Sequence, residues 1–387
     1  MRLAFVWLLA LLLFADARSS SAQSHDQLAS CRDRRPAMRN ALADIQRRQR
    51  NVGLSAVVML GGETVLAENL GYADLEHRVP VTGETRFGVA SITKAFTGLA
   101  LLKLHEAGRI DLDAPIQRYV PAFPVKAGRA ITPRLLAAHL AGIRHWGQER
   151  NAALYARHFD DVNEILALFK DDTLVAPPGT KPSYSSYGYN LIAAALQSAS
   201  GVKYQDFVGR EIISRLDLKN TDFDDVRRVL PNRARRYSYY DPWTFAVDST
   251  AVFRVPDWDY SHNIAGGNMY STAADLVRFG RAIEQPGLLS KESLELLYRR
   301  PKVGSVEATM SFGFYVSDST APHKLLNIGG SNAGLQAGLF VYPNDDLVIA
   351  VLSNTWGIGS SSGEMNGVLL SRLAAICMGW PEPARVK

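Results

Sequence analysis

The order of strand and helix patterns predicts an α+β fold in which both ends of the chain contribute to one antiparallel sheet. Near the start, "GLSAVVMLGGETVLAENLGYAD" has the pattern of two strands around a Gly-Gly turn. Near the end, four strand patterns follow one another with short turns: "MSFGFYVSD", "HKLLNIGG", "LQAGLFVYP" and "LVIAVLSN". The simplest packing is an α/β sandwich with a mostly helical subdomain inserted between the two parts of the sheet.

Apolar periodicity predicts the helices. Residues 36–50 have an amphipathic helix pattern, and Ser91 opens a helical run that Gly108 ends. The other clear helical patterns are "DVNEILALF", "YNLIAAALQSASG", "STAADLVRFGRAIEQ" and "EMNGVLLSRLAAICMG". We therefore expect a single domain over residues 36–380, with a sheet lobe (about 36–90 and 301–380) and a helical lobe (about 91–300). The cleft between the lobes is the natural place for a site.

Residues 1–22 have the layout of a secretory signal peptide. Arg2 precedes the apolar run "LAFVWLLALLLFA", and small residues follow in "DARSSSAQS". Cleavage after Ala17 or Ala22 fits this pattern, and the alternative is an N-terminal membrane anchor. Because the run is too short to span a membrane stably, we expect an exported, periplasmic or secreted protein with no stable span after processing.

The chain has 387 residues and only two cysteines, Cys31 and Cys377, near the two ends of the mature chain. In an oxidising compartment they could pair and tie the ends together. Two unpaired thiols fit the sequence equally well. The pairing is therefore left open at this point.

The composition is that of an ordinary soluble globular protein, with 47% hydrophobic and 21% charged residues. The net charge is +5, and arginines cluster in "CRDRRPAMR", "RRQR" and "RRVLPNRARR". These runs lack interleaved aromatic residues, which favours solvated helix faces over a nucleic-acid site. We expect no nucleic-acid partner, and the composition gives no indication of an oligomeric state.

Ser91 and Lys94 form a Ser-x-x-Lys motif. Positions i and i+3 of a helix share one face, so the lysine amine comes within reach of the serine oxygen. At a helix N-terminus, backbone N–H groups also favour a developing negative charge. The alternative is an ordinary N-cap serine. A second copy, Ser200 to Lys203, spans the helix end predicted at Gly201, so its two side chains should not share a face.

Other nucleophile, metal and cofactor patterns are weaker. "GSSSG", with Ser361 at its centre, follows a strand and precedes a helix as a nucleophile elbow does, but that arrangement needs a later acid and histidine. Neither histidine nor aspartate follows Ser361 in the sequence, so we expect a loop there. The eight histidines are scattered without metal-ligand spacing, and the sequence has no phosphate-binding or dinucleotide fingerprint. We expect no metal and no organic cofactor.

Three separated segments support Ser91 as a nucleophile. "GETRFGVASITKAFTGLALLKL" contains Ser91 and Lys94, "YSSYGY" contains Tyr184 ahead of a helix, and "NIGGSNAG" lies between two strands. In this order, the chain from about 38 to 378 resembles the serine β-lactamase and penicillin-binding-protein superfamily. It is most similar to the branch with class C β-lactamases, family VIII esterases, D-alanyl-D-alanine carboxypeptidases and a mitochondrial β-lactamase-like serine protease. The resemblance implies a β-lactamase/transpeptidase-like fold and one catalytic domain.

The resemblance also implies roles for individual residues. Ser91 would be the acylated nucleophile, and Lys94 would accept its proton or hold it in a polarised network. Tyr184 would transfer protons for the leaving group and then for the deacylating water. The backbone N–H groups of Ser91 and of Ser331, which follows Gly330, would form the oxyanion hole.

Two positions depart from the family pattern. Ser186 stands where the second motif usually has asparagine, and a hydroxyl offers fewer hydrogen bonds than an amide. Ile328 stands where the third motif usually begins with lysine or histidine, so a charged or protic group is lost. If the alignment of that strand is displaced, His323 or Lys324 could serve instead. Both departures argue against efficient recognition of β-lactams or D-Ala-D-Ala.

The sequence therefore predicts an exported serine hydrolase that forms an acyl-enzyme on Ser91 and acts on a small acyl substrate. A carboxylic ester is the first hypothesis for that substrate. A D-Ala-D-Ala-type peptidase or weak β-lactamase is the alternative. A third hypothesis is a degenerate protein that binds acyl or cell-wall ligands without turnover. His145 could face the cleft, although a structural role fits it better, and Tyr187 and Tyr189 are expected to pack. The sequence does not indicate the physiological substrate or its acyl chain length.

Overall fold

The computed structural model of the chain describes residues 25–146, 152–242, 244, 246–317, 321–356 and 364–382. The predicted signal peptide and the loop around Ser361 lie outside these ranges. The strands are β1 (Gly53–Leu60), β2 (Glu63–Asp74), β3 (Val79–Pro80), β4 (Phe87–Gly88), β5 (Asp222–Phe223), β6 (Tyr237–Ser238), β7 (Phe253–Arg254), β8 (Met269–Ser271), β9 (Lys302–Val303), β10 (Val306–Glu307), β11 (Met310–Ser311), β12 (Phe314–Val316), β13 (Leu326–Asn332), β14 (Leu335–Tyr342), β15 (Leu347–Ser353) and β16 (Thr355–Trp356).

Both ends of the chain contribute to the main sheet, which confirms the predicted α+β fold. The strand order is β11-β12-β13-β14-β15-β1-β2-β3, and every neighbouring pair is antiparallel. β1, from the start of the chain, pairs with β15, from its end, with Leu54 opposite Ser353 and Leu60 opposite Leu347. All of β1 is buried because both faces of the sheet are covered, which explains why its sequence is almost continuously apolar.

The predicted hairpin at the start of the sheet is confirmed. β1 and β2 are joined by Gly61 and Gly62, and Leu60 pairs with Glu63 across the turn. Both glycines have positive φ angles, of 61° and 81°, in the left-handed region where a Cβ atom is strained. The Gly-Gly pair therefore allows the tight turn that fixes the register of the two strands.

The predicted helical segments are confirmed, with one difference at Ser91, and the structure adds shorter helices that the sequence analysis does not predict. They are α1 (Arg35–Gln49), α2 (Thr93–Glu106), α3 (Pro133–Ala137), α4 (Ala152–Ala156), α5 (Val162–Leu166), α6 (Ser186–Ser200), α7 (Tyr204–Val208), α8 (Ile264–Gly267), α9 (Ala273–Ala282), α10 (Lys291–Tyr298) and α11 (Leu370–Met378). Instead of opening the α-helix, Ser91 lies in a 3₁₀ turn, Ala90–Ile92, that leads into α2. No described helix combines the length and the apolar character that crossing a membrane requires.

The sheet is packed on both faces. One face buries apolar side chains of α1 and α11, such as Met38 and Leu373. On the other face, α9 approaches so closely that a Cβ atom at Gly280 would lie 2.8 Å from a methyl carbon of Val348. These layers hold the helices that carry the candidate site against the sheet.

A disulfide bond connects Cys31, just ahead of α1, with Cys377 in α11. The two Cα atoms lie 4.4 Å apart, although the residues are separated by 346 positions in the sequence. The sequence leaves the pairing open because it does not place α1 beside α11. Their packing on the same face of the sheet brings the two sulfur atoms together.

Candidate active site

Ser91 lies at a sharp turn between a strand and a helix. β4 pairs with β8, and the Val89 amide donates to the Met269 carbonyl oxygen at 2.9 Å, which holds the chain just before the turn. Ala90 then has a φ of 43°, an angle that costs a residue with a Cβ atom about 1–3 kcal/mol. Ser91 remains partly exposed at the end of this turn, while its neighbours Ala90 and Ile92 are buried.

The strand β13 lies directly against the Ser91 turn. A Cβ atom at Gly330 would lie 2.2 Å from the Val89 carbonyl oxygen and 2.9 Å from the Ser91 amide nitrogen. Only glycine allows such a close approach of two backbones. The structure therefore brings Gly330, and with it Ser331, next to the backbone of Ser91. β12 pairs with β13 only at Leu326 and Asn327, so the rest of that edge of β13 has no pairing with β12.

The Ser91 hydroxyl oxygen accepts hydrogen bonds from two side chains. The Tyr184 hydroxyl donates to it at 2.8 Å, and the Lys94 ammonium donates to it at 3.3 Å. Tyr184 comes from the segment that precedes α6, far from Ser91 in the sequence. Lys94 and Tyr184, the two predicted catalytic partners of Ser91, therefore both lie within hydrogen-bonding distance of the Ser91 hydroxyl oxygen.

Lys94 is completely buried and has three oxygen partners. Besides Ser91, its Nζ contacts the Ser186 hydroxyl at 2.9 Å and the Gly266 carbonyl oxygen at 2.5 Å. Burial lowers the pKa of Lys94 well below the ordinary lysine value. Ser186, which replaces the usual asparagine, thus still provides an oxygen for the lysine. A Cβ atom at Gly266 would lie 2.8 Å from the Ser186 Cβ, so glycine is needed there for this contact.

The arrangement around Lys94 suits both of its protonation states. As an ammonium, it can donate one hydrogen bond to each of its three oxygen partners. As a neutral amine, it can donate to Ser186 and Gly266 and direct its lone pair at the Ser91 hydroxyl. Since burial favours the neutral form, the geometry permits Lys94 to accept the proton of Ser91.

Tyr184 is held by ring contacts on two sides. The His139 ring lies 4.4 Å and the His145 ring 5.4 Å from the Tyr184 ring, measured between centroids. Lys94 Nζ lies 4.8 Å from the same ring, within the range of a cation–π contact. Burial raises the pKa of Tyr184 above its ordinary value, so the phenol stays protonated and donates to Ser91.

Two histidines fix the start of α6, next to Tyr184. The Ser185 amide donates to His139 Nδ1 at 3.0 Å, and the Ser186 amide donates to His145 Nδ1 at 3.2 Å. The Ser185 hydroxyl accepts from the Gly188 amide, so three of the otherwise unpaired N–H groups at this helix end have partners. Burial and the nearby Lys94 charge lower the pKa of both imidazoles, which keeps them neutral acceptors, although much of the His145 side chain is exposed.

These two histidines and the Gly266 carbonyl are the parts of the site that the sequence analysis misses or underrates. His145 was expected to be mainly structural, and its contact with the Ser186 amide agrees with that view. His139 has no role predicted from the sequence, although it lies only six residues before His145 and has an unusual φ of 57°. The paired glycines of "IAGG" are the feature of the sequence that could have indicated the backbone contact at Gly266.

Ile328 lies in the core, with 1% of its surface exposed, opposite Leu339 on β14. Because strand side chains alternate, Ile328 lies on the same face of β13 as Gly330, the face that meets the Ser91 turn. His323 and Lys324, the alternative candidates for the charged or protic group at this position, make contacts elsewhere. The His323 ring stacks on Trp380, and the Lys324 amine lies over the Tyr298 ring.

The second Ser-x-x-Lys copy has no such arrangement. Ser200 is the last residue of α6, and its hydroxyl donates to the carbonyl oxygens of Gln197 and Val202. Gly201, with a φ of 72°, ends the helix, and Lys203 is exposed at the start of α7. The prediction that these two side chains do not share a helix face is confirmed.

One cluster of possible metal ligands is found among the described residues, and none of its members belongs to the contacts around Ser91. Asp74, Glu76 and His77 have ligand atoms within 4.8 Å of one another near the end of β2. The Asp74 carboxylate already accepts from Arg235 Nε at 2.8 Å and contacts His77 Nδ1 at 2.9 Å. These contacts account for the cluster as an ion-pair network, and we assign no metal to it.

Comparison with known proteins identifies the family of the chain. The β-lactamase family profile matches residues 38–373. The chain belongs to the β-lactamase family. The human mitochondrial serine beta-lactamase-like protein LACTB is 34% identical over an alignment 321 residues long, with 65% of this chain and 57% of that protein covered. Penicillin-binding protein 4* of Bacillus subtilis is 26% identical, over 76% of this chain and 66% of its own length. Thus the chain spans little more than half the length of its human relative.

Solved structures agree with the fold. The octameric penicillin-binding protein homologue from Pyrococcus abyssi superimposes with a TM-score of 0.76 at 23% identity, covering 91% of this chain and 79% of that chain. The D-amino acid amidase from Ochrobactrum anthropi, in complex with D-phenylalanine, has a TM-score of 0.76 at 25% identity, covering 90% and 99%. The fold is therefore that of penicillin-binding proteins and serine β-lactamases, a family whose members are typically hydrolases.

Proposed function

We propose that this chain is an exported serine hydrolase that forms an acyl-enzyme on Ser91 and hydrolyses carboxylic esters. The observation that carries the proposal is the convergence of Lys94 and Tyr184 on the Ser91 hydroxyl oxygen, at 3.3 and 2.8 Å. A serine nucleophile needs an adjacent base and a preorganised place for the oxyanion, and both have candidates here. Membership of the β-lactamase family supports the same reading.

In the first half-reaction, Lys94 accepts the Ser91 proton as the serine oxygen attacks the ester carbonyl carbon. The negative charge moves to the carbonyl oxygen, where the Ser91 and Ser331 amides would donate hydrogen bonds, each contributing about 3–4 kcal/mol. The carbon–oxygen bond to the alcohol then breaks, and the alcohol takes a proton from Tyr184. Lys94, which holds the proton taken from Ser91, returns it to the Tyr184 phenolate, so the acyl-enzyme forms with Lys94 neutral, Tyr184 protonated and the proton count balanced.

In the second half-reaction, water attacks the acyl-enzyme and gives its proton to the Tyr184–Lys94 pair. The bond between the acyl carbon and the Ser91 oxygen breaks, and the serine recovers a proton. Tyr184 suits this role because its hydroxyl contacts the Ser91 oxygen directly. The products are a carboxylic acid and an alcohol.

We expect the enzyme to prefer esters over peptides with a free carboxylate because of β13, the strand that carries the third family motif. Ile328 is apolar and buried, so this position supplies neither a positive charge nor a hydrogen-bond donor for a substrate carboxylate. The likeness to a D-amino acid amidase supports amide or peptide hydrolysis as the second candidate. A protein that binds acyl ligands without turnover is the outcome expected if Ser91 does not become acylated.

Export is supported by the apolar N-terminal segment and by the Cys31–Cys377 bond, since disulfides persist mainly in oxidising compartments. The human relative is named as mitochondrial, which makes a different destination worth testing. Fractionation of cells that produce the full chain, combined with N-terminal sequencing of the mature protein, would decide. Retention of residues 1–22 in a cytosolic fraction would contradict export.

The activity is tested by offering purified mature protein four substrates: nitrophenyl acetate, a chromogenic cephalosporin, a D-Ala-D-Ala peptide and D-phenylalanine amide. We expect turnover of the ester to exceed that of the other three. Intact-mass analysis after treatment with a fluorophosphonate should show one adduct, absent from Ser91→Ala. Ester turnover that persists in Ser91→Ala would contradict the nucleophile assignment. Absence of both adduct and turnover would favour the binding-only hypothesis.

A further inference from the structure

A continuous row of aromatic rings begins at Tyr184, whose hydroxyl contacts Ser91. Successive ring centroids lie 5.4, 5.8, 6.4 and 5.1 Å apart. Each of these side chains is at least partly exposed. We call this row the aromatic strip, and its members are Tyr184, His145, Trp146, Tyr155 and Trp258.

Two buried residues form the floor of the strip. Tyr260 and His262 are 3% and 0% exposed. The Trp146 ring lies 6.1 Å from the Tyr260 ring and 5.1 Å from the His262 ring, in edge-to-face geometry. Such contacts hold aromatic side chains in one orientation, so Trp146 is supported from below rather than free to collapse. Its remaining exposed surface is a preformed apolar wall.

The strip and the lysine pocket share a structural support. His145 accepts from the Ser186 amide, and the Ser186 hydroxyl contacts Lys94. At the floor, the chain runs directly from His262 to Gly266, whose carbonyl oxygen is the third partner of Lys94. The same short segments therefore position both Lys94 and the start of the strip.

Charged groups beside the strip already have polar partners. The Arg236 guanidinium lies 5.2 Å from the Tyr260 ring and donates to Asp224 at 3.3 Å. The Asp259 carboxylate contacts the His158 ring at 2.7 Å. A surface of this kind offers a ligand apolar area and ring faces rather than ion pairs.

We propose that the aromatic strip binds the acyl part of the substrate, and that the preferred substrates are neutral esters with a long or aromatic apolar acyl group. This inference rests on the proposed hydrolase function. The acyl carbon is bonded to the Ser91 oxygen, which accepts from the Tyr184 hydroxyl at 2.8 Å, so the acyl group stays beside the first member of the strip through both half-reactions, whereas the alcohol departs after the first. The acyl group is therefore the part of the ester that extends along the strip.

The length of the strip determines which acyl groups benefit. Trp146 is the second ring beyond Tyr184, at successive centroid steps of 5.4 and 5.8 Å, so we expect octanoyl and phenylbutanoyl groups on Ser91 to reach it and an acetyl group to stop short of it. One methylene more or less in an apolar pocket changes specificity about tenfold or more. The preference should therefore depend on acyl length and on Trp146.

The test compares nitrophenyl acetate, octanoate and phenylbutanoate with the wild type, Trp146→Leu and Trp258→Phe. In Trp146→Leu we expect kcat/KM for the two long esters to fall about tenfold, with acetate changed less than about twofold. Trp258→Phe, at the outer end of the strip, should have a smaller effect of the same kind. Trp380→Leu is the matched control, because Trp380 is also partly exposed but stacks on His323 beside α11.

Equal losses for acetate and octanoate in a folded Trp146→Leu variant would overturn the proposal. A preference for long alcohols among acetate esters that is lost in Trp146→Leu would overturn it as well, because the strip would then bind the alcohol. Thermal unfolding followed by circular dichroism shows whether Trp146→Leu folds. If it does not, the comparison of long and short esters in Trp258→Phe tests the proposal. If the wild type turns over no ester, the labelling rates of a methyl and an octyl fluorophosphonate give the same comparison. If neither reagent labels Ser91, the proposed function fails and this inference fails with it. If Ser91 reacts but shows no preference for long acyl groups, only this inference fails.

Discussion

The two Ser-x-x-Lys copies of this chain have the same spacing but very different surroundings. In the first, Lys94 is completely buried and contacts Ser91, Ser186 and Gly266. In the second, Lys203 is exposed, and the Ser200 hydroxyl donates to carbonyl oxygens at the end of α6. The first copy enters a helix through a 3₁₀ turn, whereas the second leaves one through a left-handed glycine.

This difference shows what turns a tetrapeptide into a candidate site. The lysine must be buried for its pKa to fall, and the serine must lie beside groups from other parts of the chain. For Ser91 these groups come from the start of α6 and from β13. The second copy lacks these arrangements, and so it provides a matched internal control for the first.

The largest expected effect is the loss of the nucleophile. Ser91→Ala should reduce ester turnover by about 10⁴-fold or more, because the covalent route is removed. Ser200→Ala should leave kcat/KM within about twofold, since that hydroxyl serves only a helix end. Initial rates with nitrophenyl acetate, measured beside circular dichroism spectra, provide the comparison. Similar losses in both variants would remove the distinction between the two copies.

The next effect is the loss of the proton acceptor. Lys94→Met should lower kcat/KM by about 10²–10⁴-fold, the usual contribution of a general base, whereas Lys203→Met should not. Since burial lowers the pKa of Lys94, the wild-type rate should remain high well below the ordinary lysine pKa and fall as pH drops through the lowered value. A pH–rate profile of the wild type checks this. An acid limb unchanged in Lys94→Met would assign it to another group.

A third effect concerns stability rather than rate. The folded pKa of Lys94 is lowered, so between that value and the unfolded pKa the unfolded state binds the extra proton. The free energy of unfolding of the wild type should therefore fall, relative to Lys94→Met, by up to about 1.4 kcal/mol per pH unit as pH decreases from about 10. Ser200→Ala, which removes no titratable group, should run parallel to the wild type. Urea unfolding at several pH values measures these slopes, and equal slopes in all three proteins would contradict a lowered pKa.

The smallest effect concerns β13, the strand that lies against the Ser91 turn of the first Ser-x-x-Lys copy. Ile328→His should raise kcat/KM for a peptide with a free carboxylate by about threefold to tenfold relative to a neutral ester, if the imidazole reaches the cleft. Because the position is buried, the same change should cost roughly 1–3 kcal/mol of stability. Ile328→Leu is the control of similar volume. An unchanged substrate ratio in a folded Ile328→His protein would count against the assignment of this position.

Local patterns in the sequence were sufficient for most of the fold. The apolar run of β1 and the paired glycines after it predict the hairpin, and Gly108 and Gly201 mark the ends of α2 and α6 correctly. The pairing of β1 with β15 follows from the need to build one sheet from both ends. These features depend on short-range propensity and on burying apolar faces, both of which can be inferred from one sequence.

Contacts between distant segments could not be predicted in this way. The full burial of Lys94, the contact of Gly330 with the Ser91 turn and the support of Ser186 by His145 all join separate parts of the chain. The resemblance to a family identified the candidates Ser91, Lys94 and Tyr184, but periodicity alone did not. Likewise, the 3₁₀ turn at Ser91 depends on the unusual φ of its neighbour, which the sequence does not reveal.

The Cys31–Cys377 bond determines how the folded chain responds to proteolytic cleavage and to a pulling force. It closes the segment between these two residues, 346 positions apart, into a covalent ring that contains the whole sheet and both halves of the candidate site. A single cut in an exposed loop, such as residues 82–84, would leave the two pieces joined. Tension applied to the two ends of the chain would pass through the sulfur–sulfur bond, so the sheet and the Ser91 turn would carry no load until that bond was reduced.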